Sequence, residues 1–194
     1  MMLPTFQRAR TSADPFPHLR VPGILAREAA DRVLRWLKTR APWTLRVESF
    51  YEQHEISLLA AELDPEVAAL VSPAFVEAVR RELRSRFALG DELVLVDIGA
   101  HRLTSGQTIR IHNDFLGGAE THRLLIQLND GWSAERGGLL MLFADEAPES
   151  LRSVVMPTHA SGFAFEISPA SFHAVSSIKD GERYTLVYTF RRPA

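Results

Sequence analysis

The stretch Thr108-Ile-Arg-Ile-His-Asn-Asp-Phe115 carries an imidazole at His112 and a carboxylate at Asp114. On a strand, side chains at i and i+2 share a face, so these two groups project together while Asn113 turns away. A second imidazole, His173, follows 59 residues after Asp114, in the strand-like run Phe172-His-Ala-Val175. Two histidines and one carboxylate on one face of an octahedral metal leave three positions open. That arrangement suits iron(II) that must take a bidentate cosubstrate and dioxygen together. His112, Asp114 and His173 are therefore the expected metal ligands and catalytic centre. Ten residues beyond His173, Arg183 opens another strand-like run. Its planar guanidinium presents a rigid fork of donors that fits a carboxylate. Thr185 follows on the same face with a hydroxyl. Arg110, two residues before His112, shares its inward face under regular alternation and is expected to meet an acidic group of the substrate.

Composition narrows the chemistry. The 194-residue chain has no cysteine, which excludes disulfides, zinc–thiolate sites and cysteine nucleophiles. Any metal must be held by His, Asp or Glu. A formal net charge of −2 argues against a general nucleic-acid binder, which needs a basic excess. No segment approaches the roughly 18 consecutive apolar residues of a membrane helix. The opening residues lack the apolar core of a signal peptide, so a cytoplasmic protein without a membrane or nucleic-acid partner is expected.

The elements that position these residues divide at Gly90. Before it, Ala30, Val33, Leu34 and Leu37 have amphipathic spacing and predict a helix over 26–39. Residues 73–87 form a second helix, with Ser72 as N-cap, Pro73 in the first turn, and an apolar stripe from Phe75 to Phe87. Residues 1–22, rich in proline, read as irregular, and 41–62 as ambiguous. After Gly90, short apolar or alternating runs predict eight strands, near 92–102, 107–114, 122–129, 138–144, 152–157, 162–168, 172–178 and 184–191. The expected fold is mainly β with flanking helices, around a double-stranded β-helix (jelly roll) core. One domain over 1–194 is expected, with a helical flank at about 1–90 and the core at about 91–192. His18, His54, His101, His122 and His159 read as structural, and His122 and Arg123 as surface positions, with substrate contact near the mouth as the alternative.

Beyond these four residues, a longer pattern resembles a known family. His112-x-Asp114, His173 and Arg183 are together similar to the pattern of the iron(II)/2-oxoglutarate-dependent dioxygenases, most of all the prolyl 4-hydroxylase-like group. Leu124-Leu-Ile-Gln-Leu-Asn129-Asp-Gly-Trp132, then Gly137-Gly138-Leu139-Leu140, resembles that group's central stretch. Ser171-Phe-His173-Ala-Val175 and Arg183-Tyr-Thr-Leu186 resemble its closing motif, and Phe16 to Leu25 its opening. The resemblance covers about residues 100–192. It implies iron(II), with 2-oxoglutarate and dioxygen as cosubstrates and the distal carboxylate of 2-oxoglutarate on Arg183, with Thr185 beside it. Gln127 stands where the group often carries a cosubstrate-contacting tyrosine, which implies a cosubstrate-binding place for Gln127. Leu103 and Ile109 replace frequent aromatics. The implied reaction hydroxylates an unactivated carbon of a peptide or protein side chain, prolyl among the options, with release of succinate and carbon dioxide. Two alternatives stay open: the same chemistry on a small molecule or free amino acid, and a metal-binding cupin that is not an oxygenase.

Overall fold

The computed structural model describes residues 2–193. All eight runs read after Gly90 are strands: β5 (Val94–Leu103), β6 (Ile109–His112), β7 (His122–Gln127), β8 (Leu140–Phe143), β9 (Leu151–Val155), β10 (Ser161–Glu166), β11 (His173–Val175) and β12 (Arg183–Arg191). They divide between two antiparallel sheets. The larger runs β10-β7-β12-β5 at its centre, and the smaller runs β6-β11-β8-β9. This is a double-stranded β-helix with helices on its outer side, as expected.

The amino-terminal flank is not only helical. It contributes four strands, β1 (Arg10–Ser12), β2 (His18–Val21), β3 (Thr44–Val47) and β4 (Glu52–Ser57), which extend the large sheet at both edges. Residues 1–22 and 41–62, read as irregular and ambiguous, therefore hold sheet structure. The edge pair hid it. β3 is exposed at every position and β4 reads Glu-Gln-His-Glu-Ile-Ser, so neither shows the alternation that burial on one face imposes.

Alternation along the central strands sorts two apolar cores. Leu124, Ile126, Leu186 and Tyr188 face outward and pack under helix α1 (Arg27–Thr39) and helix α3 (Pro73–Arg86), with Val33, Leu37, Phe75, Val79 and Leu83. Leu125 and Val187 face inward, between the sheets, with Leu140, Leu142, Phe163, Phe165 and Val175. Burial on both faces explains the unbroken apolar run of β7. The start of α3 follows the local signals: Ser72 accepts from the Phe75 backbone N–H at 3.3 Å, and Pro73 occupies the first turn. A short helix, α2 (Pro65–Ala68), leads into it. No described helix is long and apolar enough to cross a membrane.

Candidate active site

His112 ends β6 and pairs directly with His173 on β11, their ring centroids 4.2 Å apart. The His112 Nδ1 lies 2.8 Å from the Arg110 carbonyl, and the His173 Nδ1 lies 2.7 Å from the Ser171 carbonyl. A carbonyl only accepts, so both Nδ1 atoms carry protons and both Nε2 atoms present lone pairs. Those lone pairs face one carboxylate. His112 Nε2 is 3.4 Å from Asp114 Oδ1, and His173 Nε2 is 3.2 Å from Asp114 Oδ2. Burial, with His112 next to it, lowers the His173 pKa. Three acceptor groups thus converge within 4.8 Å of one another, a set that a divalent cation would satisfy.

Asp114 reaches this position by a route that simple alternation misses. β6 stops at His112, and Asp114 sits beyond it in the left-handed region, with φ 58°. Aspartate tolerates that conformation better than most residues. Asn113 shapes the turn: its Oδ1 accepts from the Phe115 N–H at 3.1 Å, and its carbonyl accepts from the Ser171 hydroxyl at 2.8 Å. Burial alone would raise the Asp114 pKa. Arg123, donating to Oδ2 at 2.6 Å, instead holds it well below the usual carboxylate range. Arg123 is itself fixed by Glu120 at 2.5 Å.

These groups line one cavity of about 280 Å³ between the sheets. Its floor is the inward face of the large sheet, with Arg123 and Leu125 on β7, Arg183, Thr185 and Val187 on β12, and Asp97, Gly99 and His101 on β5. Phe50 and Tyr51, before β4, reach it from the side, and the Phe50 ring lies 4.6 Å from that of His112.

Arg183 is 4% exposed, and no carboxylate pairs with it among the described residues. Burial pulls its pKa down to about 10. Its Nη1 donates to the Thr185 hydroxyl at 2.9 Å, which donates in turn to Gln127 Oε1 at 3.0 Å. A buried unpaired guanidinium is costly and invites an anion. Gly138 makes its seat: a Cβ there would press on Arg183 Cδ at 3.0 Å and Ile178 Cδ1 at 2.6 Å.

Two expectations need correction. Arg110 does not enter the cavity; it is exposed, and its guanidinium donates to the Ser49 carbonyl. The pairing of β6 with β11 shifts register between His112 and Ile109, so Ile109, not Arg110, shares the inward face with His112. Gln127 is buried one layer behind the lining and touches it through Thr185. Residues read as structural or surface also move. Arg123 and His101 line the cavity, and His122 is fully buried against Phe87 on the outer side. Parity was the available signal for Arg123, which alternates in step with Leu125 and Gln127.

Residues 98–191, just under half of the chain, match the family model of the 2OG-Fe(II) oxygenase superfamily. The fold is shared with solved structures of that kind. A Pseudomonas putida prolyl-4-hydroxylase superposes with TM-score 0.72 at 18% identity, covering 91% of this chain and 93% of its own. A prolyl hydroxylase from Trichoplax adhaerens, in complex with a hypoxia inducible factor oxygen degradation domain peptide fragment, gives 0.73 at 14% identity, covering 90% and 83%. The viral collagen prolyl hydroxylase of Paramecium Bursaria Chlorella virus-1, in its 2OG complex, gives 0.66 at 16% identity, covering 90% and 95%.

Proposed function

We propose that this chain is an iron(II)- and 2-oxoglutarate-dependent dioxygenase, one oxygenase domain that hydroxylates an unactivated carbon of a peptide or protein side chain. One observation carries the reading: a single cavity joins two imidazole lone pairs and a carboxylate to a buried, unpaired arginine. His112, Asp114 and His173 would hold the metal. Arg183 and Thr185 would take the distal carboxylate of the cosubstrate, and Gln127 would hold the Thr185 hydroxyl in place. Bound iron(II) would activate dioxygen, the oxidant, with 2-oxoglutarate as the two-electron co-reductant; one oxygen atom would go to the substrate hydroxyl and the other to succinate, with carbon dioxide released. The protein's own work is to fix the two imidazoles through backbone carbonyls, brace the carboxylate through Arg123, and exclude water with Leu125, Val187 and Phe165. The peptide substrate draws support from the Trichoplax neighbour, solved with a peptide fragment. The expected setting is the cytoplasm.

The test is anaerobic titration of the protein with iron(II) and 2-oxoglutarate, following the weak visible metal-to-ligand charge-transfer band. The band is expected in the native protein and absent in Asp114→Ala. Arg183→Ala is expected to weaken 2-oxoglutarate binding about 100-fold, the loss of two charge-assisted hydrogen bonds. Well-folded, metal-loaded protein without the band would instead be a non-oxygenase cupin.

A further inference from the structure

The cavity holds more carboxylate than iron(II) and 2-oxoglutarate require. Under the oxygenase reading, on which this inference rests, the iron dication and the 2-oxoglutarate dianion balance each other. Asp114 and Glu120 balance Arg123 and Arg183. Two lining carboxylates, Glu55 on β4 and Asp97 on β5, are left over.

Neither has a buried cation. The cation nearest Glu55 is Arg46, at 3.9 Å, whose side chain is 58% exposed; such a surface contact compensates little. Asp97 accepts from the Ser57 hydroxyl at 3.0 Å, and no cation pairs with it among the described residues. His101, directly across from Glu55 in the β4–β5 register, adds no charge, because burial pulls its imidazole down to about 4. Gln53 gives the independent sign. It is 3% exposed and lines the same wall. Its Nε2 is spent on Glu55 at 2.6 Å and His101 Nδ1 at 3.3 Å, while its Oε1 has no partner. The β4–β5 wall thus offers two carboxylates, and among the described residues the buried Gln53 amide oxygen beside Glu55 has no donor of its own. A neutral apolar substrate would desolvate these two carboxylates without a balancing buried charge, which is costly. A donor bearing positive charge would satisfy it.

We propose that the substrate carries a cationic nitrogen, an ammonium or a guanidinium, recognised by Glu55 and Asp97 on the β4–β5 wall. The same group occurs on a basic side chain of a peptide and on a free basic amino acid.

Anaerobic calorimetry on the protein loaded with iron(II) and 2-oxoglutarate tests this with n-butylguanidinium against its neutral isostere n-butylurea. The cation is expected to bind at least about tenfold more tightly, the range of a charge-assisted contact. Glu55→Gln and Asp97→Asn are each expected to shrink that preference. Equal binding of the two probes by the native protein overturns the proposal, as does an undiminished preference in both variants. Succinate release then separates the sources. Stimulation by a blocked lysine or arginine peptide identifies a peptide substrate, and stimulation by free lysine or arginine a small molecule. Stimulation by blocked proline or norleucine peptides alone overturns the proposal. A missing charge-transfer band overturns the oxygenase reading itself, whereas a normal band without cation preference overturns this inference only.

Discussion

Arg123 braces the expected metal carboxylate from behind, between Asp114 at 2.6 Å and Glu120 at 2.5 Å. Removing such a partner from a ligand typically weakens metal affinity 10–100-fold, so about that loss is expected for iron(II) in Arg123→Gln, read by titration. Unchanged affinity would reduce Arg123 to a lining residue. The residues legible in the sequence were those whose chemistry is rare on a strand at fixed spacing: His112, Asp114, His173, Arg183 and Thr185 come together in one cavity. Asp114 was legible for an incomplete reason, since it lies past the strand end in a left-handed turn that spacing does not encode. Arg110 was misread because one shift of register exchanges inward and outward faces. His101 and Asp97 carried no local signal; only the folded sheet brings β5 beneath the His112–Asp114–His173 cluster.

Elements were easier to read than contacts where turns punctuate them. Every strand after Gly90 was legible from short apolar runs between Gly, Asp, Ser and Pro, and both long helices from their stripes. Strands β1 to β4 were not: β1 and β3 are exposed at every position, β4 shows no regular alternation, and the short buried β2 is placed by β10, far along the chain. The Gly137-Gly138 turn shows how tightly an element can be specified. Gly137 has φ 71°, and a Cβ would stand 2.0 Å from the Ser177 carbonyl oxygen. Gly137→Ala is expected to cost about 2–4 kcal/mol, from left-handed strain plus overpacking, read as a lower denaturant midpoint. A midpoint within experimental error of the native one would mean that the turn relaxes freely.

The molecule as a whole should lose stability in mild acid. His122 is buried, and burial pulls its pKa from the ordinary 6.5 to about 4; His101 moves in the same direction to about 4. Between these values the unfolded chain binds more protons than the folded one, so stability rises with pH and is lost as pH falls from 6.5 toward 4. Each such histidine contributes a slope of up to about 1.4 kcal/mol per pH unit. The expected outcome is a Tm that drops through this window, with a shallower drop in His122→Gln; the same slope in that variant would remove His122 from the account. The sorting of β7 and β12 into outward Leu124, Ile126, Leu186 and Tyr188 and inward Arg123, Leu125, Arg183 and Thr185 has a consequence for descent. Adjacent positions serve different ends, one set the packing of helices on the sheet and the other the cavity. Under the proposed function, a lineage could vary the outward set at the expense of stability alone, whereas Arg123, Arg183 and Thr185 are held by the metal and cosubstrate they would serve.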